Sequence, residues 1–322
     1  ERESMKDKLY NAVQQVLTQV NQVILGKEKE TKEIMASFLA DGHVLLEDIP
    51  GVGKTTLAVA FSRAMQLEYR RVQFTPDVLP SDLTGFSIYR REEEKFVYQP
   101  GSVFCNLLLA DEINRTSPKT QSALLEVMEE RKVTVDGETR KVPEPFLVIA
   151  TQNPVGTVGT QRLPEAQTDR FMISMSIGYP DYESEFLMAK GIGPEEKYSR
   201  ISPVLSREEF LAVQKEICQV YIKDTVYEYI LKLIRSTREH LDIERGASPR
   251  ATIALVKIAK AWAWMNHRDY VTPSDVSGQF PYVAAHRIIL SGTAEMEGKK
   301  KEIVIKEILR TVEAPSMWEE CR

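Results

Sequence analysis

The sequence predicts an α/β fold in which a parallel sheet flanked by helices is followed by a small all-helical lobe. Three observations support that expectation. Apolar runs at 44–46, 104–110 and 146–151 alternate with stretches of helical periodicity, the pattern of strands buried on both faces. A turn containing Gly51 and Gly53 joins the first run to a helical segment. Beyond residue 205, every apolar period is helical.

The 322 residues suit one large domain with a smaller one. With 43 % hydrophobic and 28 % charged residues, the composition is that of a soluble globular protein. A net charge of −5, from 42 basic and 47 acidic side chains, gives no bulk attraction for nucleic acid. Cys105, Cys218 and Cys321 fit no disulfide or metal spacing, and the four histidines are scattered. No apolar run approaches ~18 residues, so no membrane-crossing helix is expected. The start lacks the apolar core of a signal peptide, and the expected location is cytoplasmic.

Residues 4–22 and 28–40 read as helices, followed by a strand at 44–46 and a helix at 57–65. A second strand is expected at 70–74. Two hairpins follow, one pairing 87–90 with 95–98 and one at 132–142 around Asp136-Gly137. Between them lie a buried strand at 104–110 and a long helix at 120–131. Buried strands at 146–151 and 171–177 complete the sheet. Gly and Pro at 191–194, then charge, then Pro203 mark a boundary. The expected division is 1–190 for the sheet domain, 191–205 for a linker and 206–322 for the helical lobe. Helix starts there are signalled by Ser206 with Glu209, Ser248-Pro249 and Thr272-Pro273.

The stretch 46–56 has the chemistry to cradle a polyphosphate. Gly51 and Gly53 let successive N–H groups turn inward, and the following helix adds its partial positive charge. Lys54 can reach the terminal phosphates, and the Thr55 hydroxyl can bind Mg²⁺. Pro50, Val52 and Thr56 complete the nucleotide-binding stretch. Asp48 stands where the G-x-x-x-x-G-K-[ST] pattern has its first glycine. Asp111-Glu112 closes a buried strand, so Asp111 can hold Mg²⁺ beside Thr55 while Glu112 orients an attacking water. Asn153 ends the next buried strand and can bind that water or the γ-phosphate. Arg115, Arg170 and Arg250 are candidates for meeting phosphate charge. Arg250, on a helix of the second lobe, is expected to reach nucleotide bound on the first.

Seven stretches taken together resemble the MoxR family of AAA+ ATPases: LEDIPGVGKTTLA, TPDVLPSDLTG, PGSVFCNLLLADEINR, KTQSALLEVMEER, VIATQNP, LPEAQTDRF and GASPRA. The resemblance spans about residues 20–290, most of the chain. The resemblance implies an AAA+ phosphate-loop domain followed by a helical lid. It implies Walker A at Gly51, Gly53, Lys54 and Thr55, and Walker B at Asp111 and Glu112. Asn153 matches sensor 1, Arg170 the arginine finger acting on a neighbour's ATP, and Arg250 sensor 2. The hairpins resemble the helix-2 insert and pre-sensor-1 hairpin of that clade.

The implied activity is Mg²⁺-dependent ATP hydrolysis by a ring, usually a hexamer. Its role is remodelling or assembly of protein partners, often ones carrying von Willebrand factor A domains. A metal-chelatase motor shares the two-hairpin plan, and a scaffold that binds ATP without turnover is a non-enzymatic alternative disfavoured by the intact Glu112. A DNA helicase is disfavoured by the charge. The chain departs from the family at 155–162, VGTVGTQR, which lacks the expected acidic residue and Tyr-Pro, and at Thr168, where Leu is usual.

Overall fold

A computed structural model describes residues 2–48, 51, 53–153, 163–190 and 198–316. Two helices, α1 (Arg2–Asn21) and α2 (Glu28–Leu39), precede β1 (Val44–Glu47) and α3 (Lys54–Ala64). Next come β2 (Tyr69–Gln73), α4 (Pro80–Thr84), β3 (Phe86–Arg90), β4 (Lys95–Gln99), β5 (Leu107–Asp111) and α5 (Pro118–Glu130). Then follow β6 (Lys132–Val135), β7 (Glu138–Lys141), β8 (Leu147–Gln152), α6 (Glu165–Thr168), β9 (Ile173–Met175) and α7 (Tyr182–Ala189). The C-terminal lobe holds α8 (Arg207–Cys218), α9 (Asp224–Glu239), β10 (Ile243–Arg245), α10 (Pro249–Met265) and α11 (Pro273–Ala284). It ends with β11 (Ile289–Leu290), α12 (Gly292–Met296) and α13 (Lys301–Thr311).

The central sheet is parallel, in the order β2-β5-β8-β1-β9. Alternation along each strand splits its apolar residues between two cores. Leu46, Leu107, Leu109, Leu147 and Ile149 face α1, α2, α3 and the C-terminal helices. Leu45, Leu108, Ala110, Val148 and Ala150 face α5 and the second hairpin. Both faces are therefore covered, which is why these strands read as unbroken apolar runs. Continuity of the first core ties the C-terminal helices to the sheet side. Tyr10 of α1 packs edge-on against Trp264, and Lys32 of α2 lies over Trp262, 4.7 Å from the ring centroid.

The hairpins pair as expected, 86–90 with 95–99 and 132–135 with 138–141. Three expectations need correction. The strand expected at 104–110 starts only at Leu107, because Asn106 holds a bend: its Oδ1 accepts from Glu68 N–H and its Nδ2 donates to Pro145 O. The strand expected at 171–177 shrinks to Ile173–Met175. Met172 N–H is spent on His43 O, and Ile177 N–H on the Asp48 carboxylate. The C-terminal lobe is not all helix, since β10 and β11 pair antiparallel through Ile243 and Leu290.

Candidate nucleotide site

Glycines at 51 and 53 adopt φ of 91° and 88°, values that L side chains rarely reach. Gly53 caps α3 without any side-chain acceptor, so the first N–H groups of the helix keep their capacity for an anion. Lys54 opens the helix and is only 7 % exposed; its Nζ donates to Asp48 O at 2.9 Å. Burial pulls this amine below its ordinary value, against the opposing charges of Asp48, Asp111 and Glu112. Pro50 and Val52 lie outside the described residues.

Asp48, at the place of the missing glycine, is a buried anchor. Its carboxylate accepts from the Ser176 hydroxyl, from Ile177 N–H at 2.7 Å and from Gly178 N–H at 3.0 Å. It thereby fastens the entry of the phosphate loop to the segment after β9.

The acidic pair sits at the C-terminal end of β5. Asp111 accepts from Thr151 Oγ1 at 2.7 Å and pairs with Arg71 at 2.7 Å. Glu112 takes a left-handed backbone, φ 57° and ψ 50°, held by its N–H donating to Thr151 Oγ1 at 2.8 Å. A non-glycine residue in that region is strained, and such strain concentrates where geometry serves chemistry. The Glu112 carboxylate accepts from Asn153 Nδ2 at 3.1 Å on one oxygen. The other oxygen accepts from Gln73 Nε2 at 2.8 Å and Arg115 Nη1 at 2.9 Å. Asn153 Oδ1 is buried without a partner among the described residues. Asp111, Glu112 and Asn153 thus share one edge of the sheet with the phosphate loop. Arg71, Gln73 and Thr151 belong to this network, though no motif singled them out.

The two remaining arginines lie elsewhere. Arg250 Nη2 donates to Glu129 Oε1 at 2.6 Å, and Arg170 Nε is 3.1 Å from Glu129 Oε2. Arg170 stands just before β9, where Met172 N–H bonds His43 O ahead of β1. Both arginines are therefore at the N-terminal edge of the sheet, while Lys54 follows its C-terminal edge. The four-residue strand β1 alone separates these edges by roughly 13 Å. The helix that carries Arg250 begins on the edge opposite the phosphate loop, and its guanidinium is held by Glu129. Arg115, by contrast, stays beside Glu112.

A buried cation organises the second edge. Arg287, 3 % exposed at its side chain, donates to Asp169 Oδ1 at 2.7 Å and to the carbonyls of Asp169, Phe171, Met172 and Val283. Asp169 also accepts from Ser248 Oγ, the cap of α10, at 2.6 Å. The residue before Arg170 is thus bound to the residue two before Arg250. Thr168 donates through Oγ1 to His286 O at 3.2 Å, a polar link to the lid where the family pattern has an apolar Leu. The divergent loop at 155–162 lies outside the described residues.

Residues 43–173 match the family described as "ATPase family associated with various cellular activities (AAA)", and residues 235–308 match an AAA lid domain. Chaperone MoxR1 of Mycobacterium tuberculosis is 38 % identical, covering 95 % of this chain and 83 % of that one. The YeaC protein of Bacillus subtilis is 44 % identical, over 96 % and 97 %. A crystal structure from Cytophaga hutchinsonii, provisionally assigned as an ATPase, superposes with a TM-score of 0.91 at 38 % identity, covering 98 % of both chains. An MCM homologue of Methanopyrus kandleri, 17 % identical with a TM-score of 0.60 over 87 % of this chain and 60 % of that one, shares the fold alone.

Proposed function

The chain belongs to the MoxR family of AAA+ ATPases, and on that premise we propose that it hydrolyses ATP in pockets shared between neighbouring subunits of a ring. The supporting observation is the separation of two half-sites on one chain. Lys54, Asp111, Glu112 and Asn153 gather at one edge of the sheet, whereas Arg170 and Arg250 gather at the other. A head-to-tail ring brings the second edge of one copy against the first edge of the next.

In this reading the loop from Pro50 to Thr56 wraps the phosphates, and Lys54 neutralises their terminal charge. The donor set fits a hard cation, because Thr55 offers a hydroxyl and Asp111 a carboxylate already oriented by Thr151. These two residues would hold Mg²⁺, which when bound would neutralise charge on the β- and γ-phosphates. Glu112 takes the proton of the attacking water, and Asn153 keeps that carboxylate aimed. Arg170 and Arg250 meet the charge that grows on the neighbour's γ-phosphate.

Turnover would drive chaperone-like remodelling of a protein client, with the family's von Willebrand factor A domain as the partner to test. The hairpin β3–β4 offers such a client Phe86, Ile88, Tyr89 and Phe96, all exposed. A hexamer working in the cytoplasm, with the lid at 206–322 joined to residues 1–190 through 191–205, completes the proposal. No described helix is long and apolar enough to cross a membrane.

The direct test is Mg²⁺-dependent phosphate release by the parent protein and by Glu112→Gln. The parent should turn over ATP, and the variant should bind ATP without releasing phosphate. A parent that binds ATP and never hydrolyses it would favour a nucleotide-dependent scaffold.

A further inference from the structure

Glu129 is the one described carboxylate that touches both Arg170 and Arg250, and neither motif reading nor fold assigns it a task. It lies in the last turn of α5, where the negative pole of the helix disfavours an acidic side chain unless cations answer it. Its backbone is fixed on both sides. Met128 O is bound by His43, whose Nδ1 accepts from Val148 N–H, so that Nε2 must be the protonated nitrogen that donates to Met128 O at 3.1 Å. On the other side, Arg131 closes the helix in a left-handed conformation and pairs with Asp41 at 3.0 Å.

The manner of contact matters more than its presence. Arg170 faces Glu129 with Nε, within ion-pair distance but out of hydrogen-bond alignment. The Nη1/Nη2 fork of Arg170 makes no hydrogen bond among the described residues, and the side chain is 29 % exposed. Arg250 gives Glu129 one Nη and is 48 % exposed. Held at Nε, Arg170 keeps its outer fork for bidentate contact with phosphate, whereas Arg250, held at Nη2, keeps Nη1 for a further contact. Backbone order supports the same arrangement, since Asp169 joins Ser248 and Arg287 and so locks the two arginine-bearing segments together.

We propose that Glu129 is a positioning residue for hydrolysis: it aligns Arg170 and Arg250 as a pair, presented outward to a phosphate on a neighbouring copy. This rests on the reading that those arginines act across the subunit boundary. Glu129 touches no reacting atom and belongs to the chain that donates the arginines.

The test compares steady-state phosphate release and ATP-analogue affinity for the parent, Glu129→Gln, Arg170→Ala and the double variant. Glu129→Gln is isosteric and removes only the charge that grips both arginines. It should lower kcat by on the order of 10- to 100-fold, the loss that misplaced catalytic groups produce, with nucleotide affinity unchanged. In the double variant the losses should fall short of fully multiplying, because the part of Glu129's action that runs through Arg170 is already missing and only the part through Arg250 remains. Glu129→Asp, a methylene shorter, should restore part of the turnover that Glu129→Gln loses. If Arg170→Ala keeps parental turnover, the trans reading fails and this proposal falls with it. If Arg170→Ala is impaired while Glu129→Gln matches the parent, Glu129 alone is overturned. Fully multiplicative losses would also overturn it, by showing that Glu129 does nothing through Arg170 and so does not align the two arginines as a pair.

Discussion

Arg250 and Glu129 form a 2.6 Å charged contact on the edge of the sheet opposite Lys54. One chain therefore cannot place the Arg250 guanidinium on its own bound phosphate while this contact and the lid packing persist. It follows that Arg250→Ala should leave ATP affinity of a dissociated subunit unchanged within about twofold, and lower turnover only where subunits assemble. Fluorescent-analogue titration at low protein concentration, paired with phosphate release at high concentration, measures both. A marked affinity loss in the dissociated subunit would return Arg250 to its own pocket.

Lys54 has the opposite character. It is buried, drawn toward Asp48 O, and flanked by three carboxylates that a bound polyphosphate would outcompete. Lys54→Ala should weaken ATP binding by at least about 100-fold, the effect of losing a partly desolvated phosphate contact worth ~3 kcal/mol. Unchanged affinity by titration would remove the loop from nucleotide binding.

Asn153 orients Glu112 through a 3.1 Å bond, and Glu112 already sits in a strained left-handed backbone. Asn153→Ala should reduce kcat by about 10-fold or more while ATP affinity stays within a factor of a few. Equal losses in both quantities would show instead that Asn153 binds substrate.

A pH effect is expected from Glu33, far from the phosphate loop. This carboxylate, 3 % exposed on α2, has its pKa pushed from 4.5 to about 7, mainly by burial; Gln279, Lys29 and Lys32 act the other way, and Glu30 adds to the rise. Its Oε2 has no hydrogen-bond partner among the described residues. The raised value means that the folded chain holds a proton which the unfolded chain releases between pH 4.5 and 7. Its contribution to stability is thus complete below pH 4.5 and lost as pH climbs to about 7, by at most ~3 kcal/mol. Glu33→Gln should gain stability relative to the parent from pH 5 to pH 8. Denaturant midpoints at the two values decide this, and a constant difference would contradict it.

Much of this architecture can be read from residues close in sequence. The strands β1, β5 and β8 are legible because burial on both faces leaves no polar interruption, and Gly53-Lys54-Thr55 states its chemistry within three residues. What could not be read joins residues far apart. Arg287 meets Asp169 across 118 positions, and β10 with β11 is too short to show a period. Glu129 beside Glu130 looks like any solvated helix end until Arg170 and Arg250 arrive from two other elements. Asp48 looked like a defect in a glycine pattern, and its role appears only once Ile177 and Gly178 return beside it.

The central claim, that one pocket needs two chains, is tested most directly by mixing two inactive proteins. Arg170→Ala keeps a sound pocket and lacks the arginine, whereas Glu112→Gln keeps the arginine and lacks the water-activating carboxylate. Random assembly of an equal mixture into a head-to-tail ring pairs a sound pocket with a sound arginine at roughly one interface in four. Phosphate release should therefore reappear on mixing and peak near equal proportions, with co-purification of differently tagged subunits establishing that mixed rings form. Mixed rings as inactive as either parent variant would contradict a pocket shared between subunits.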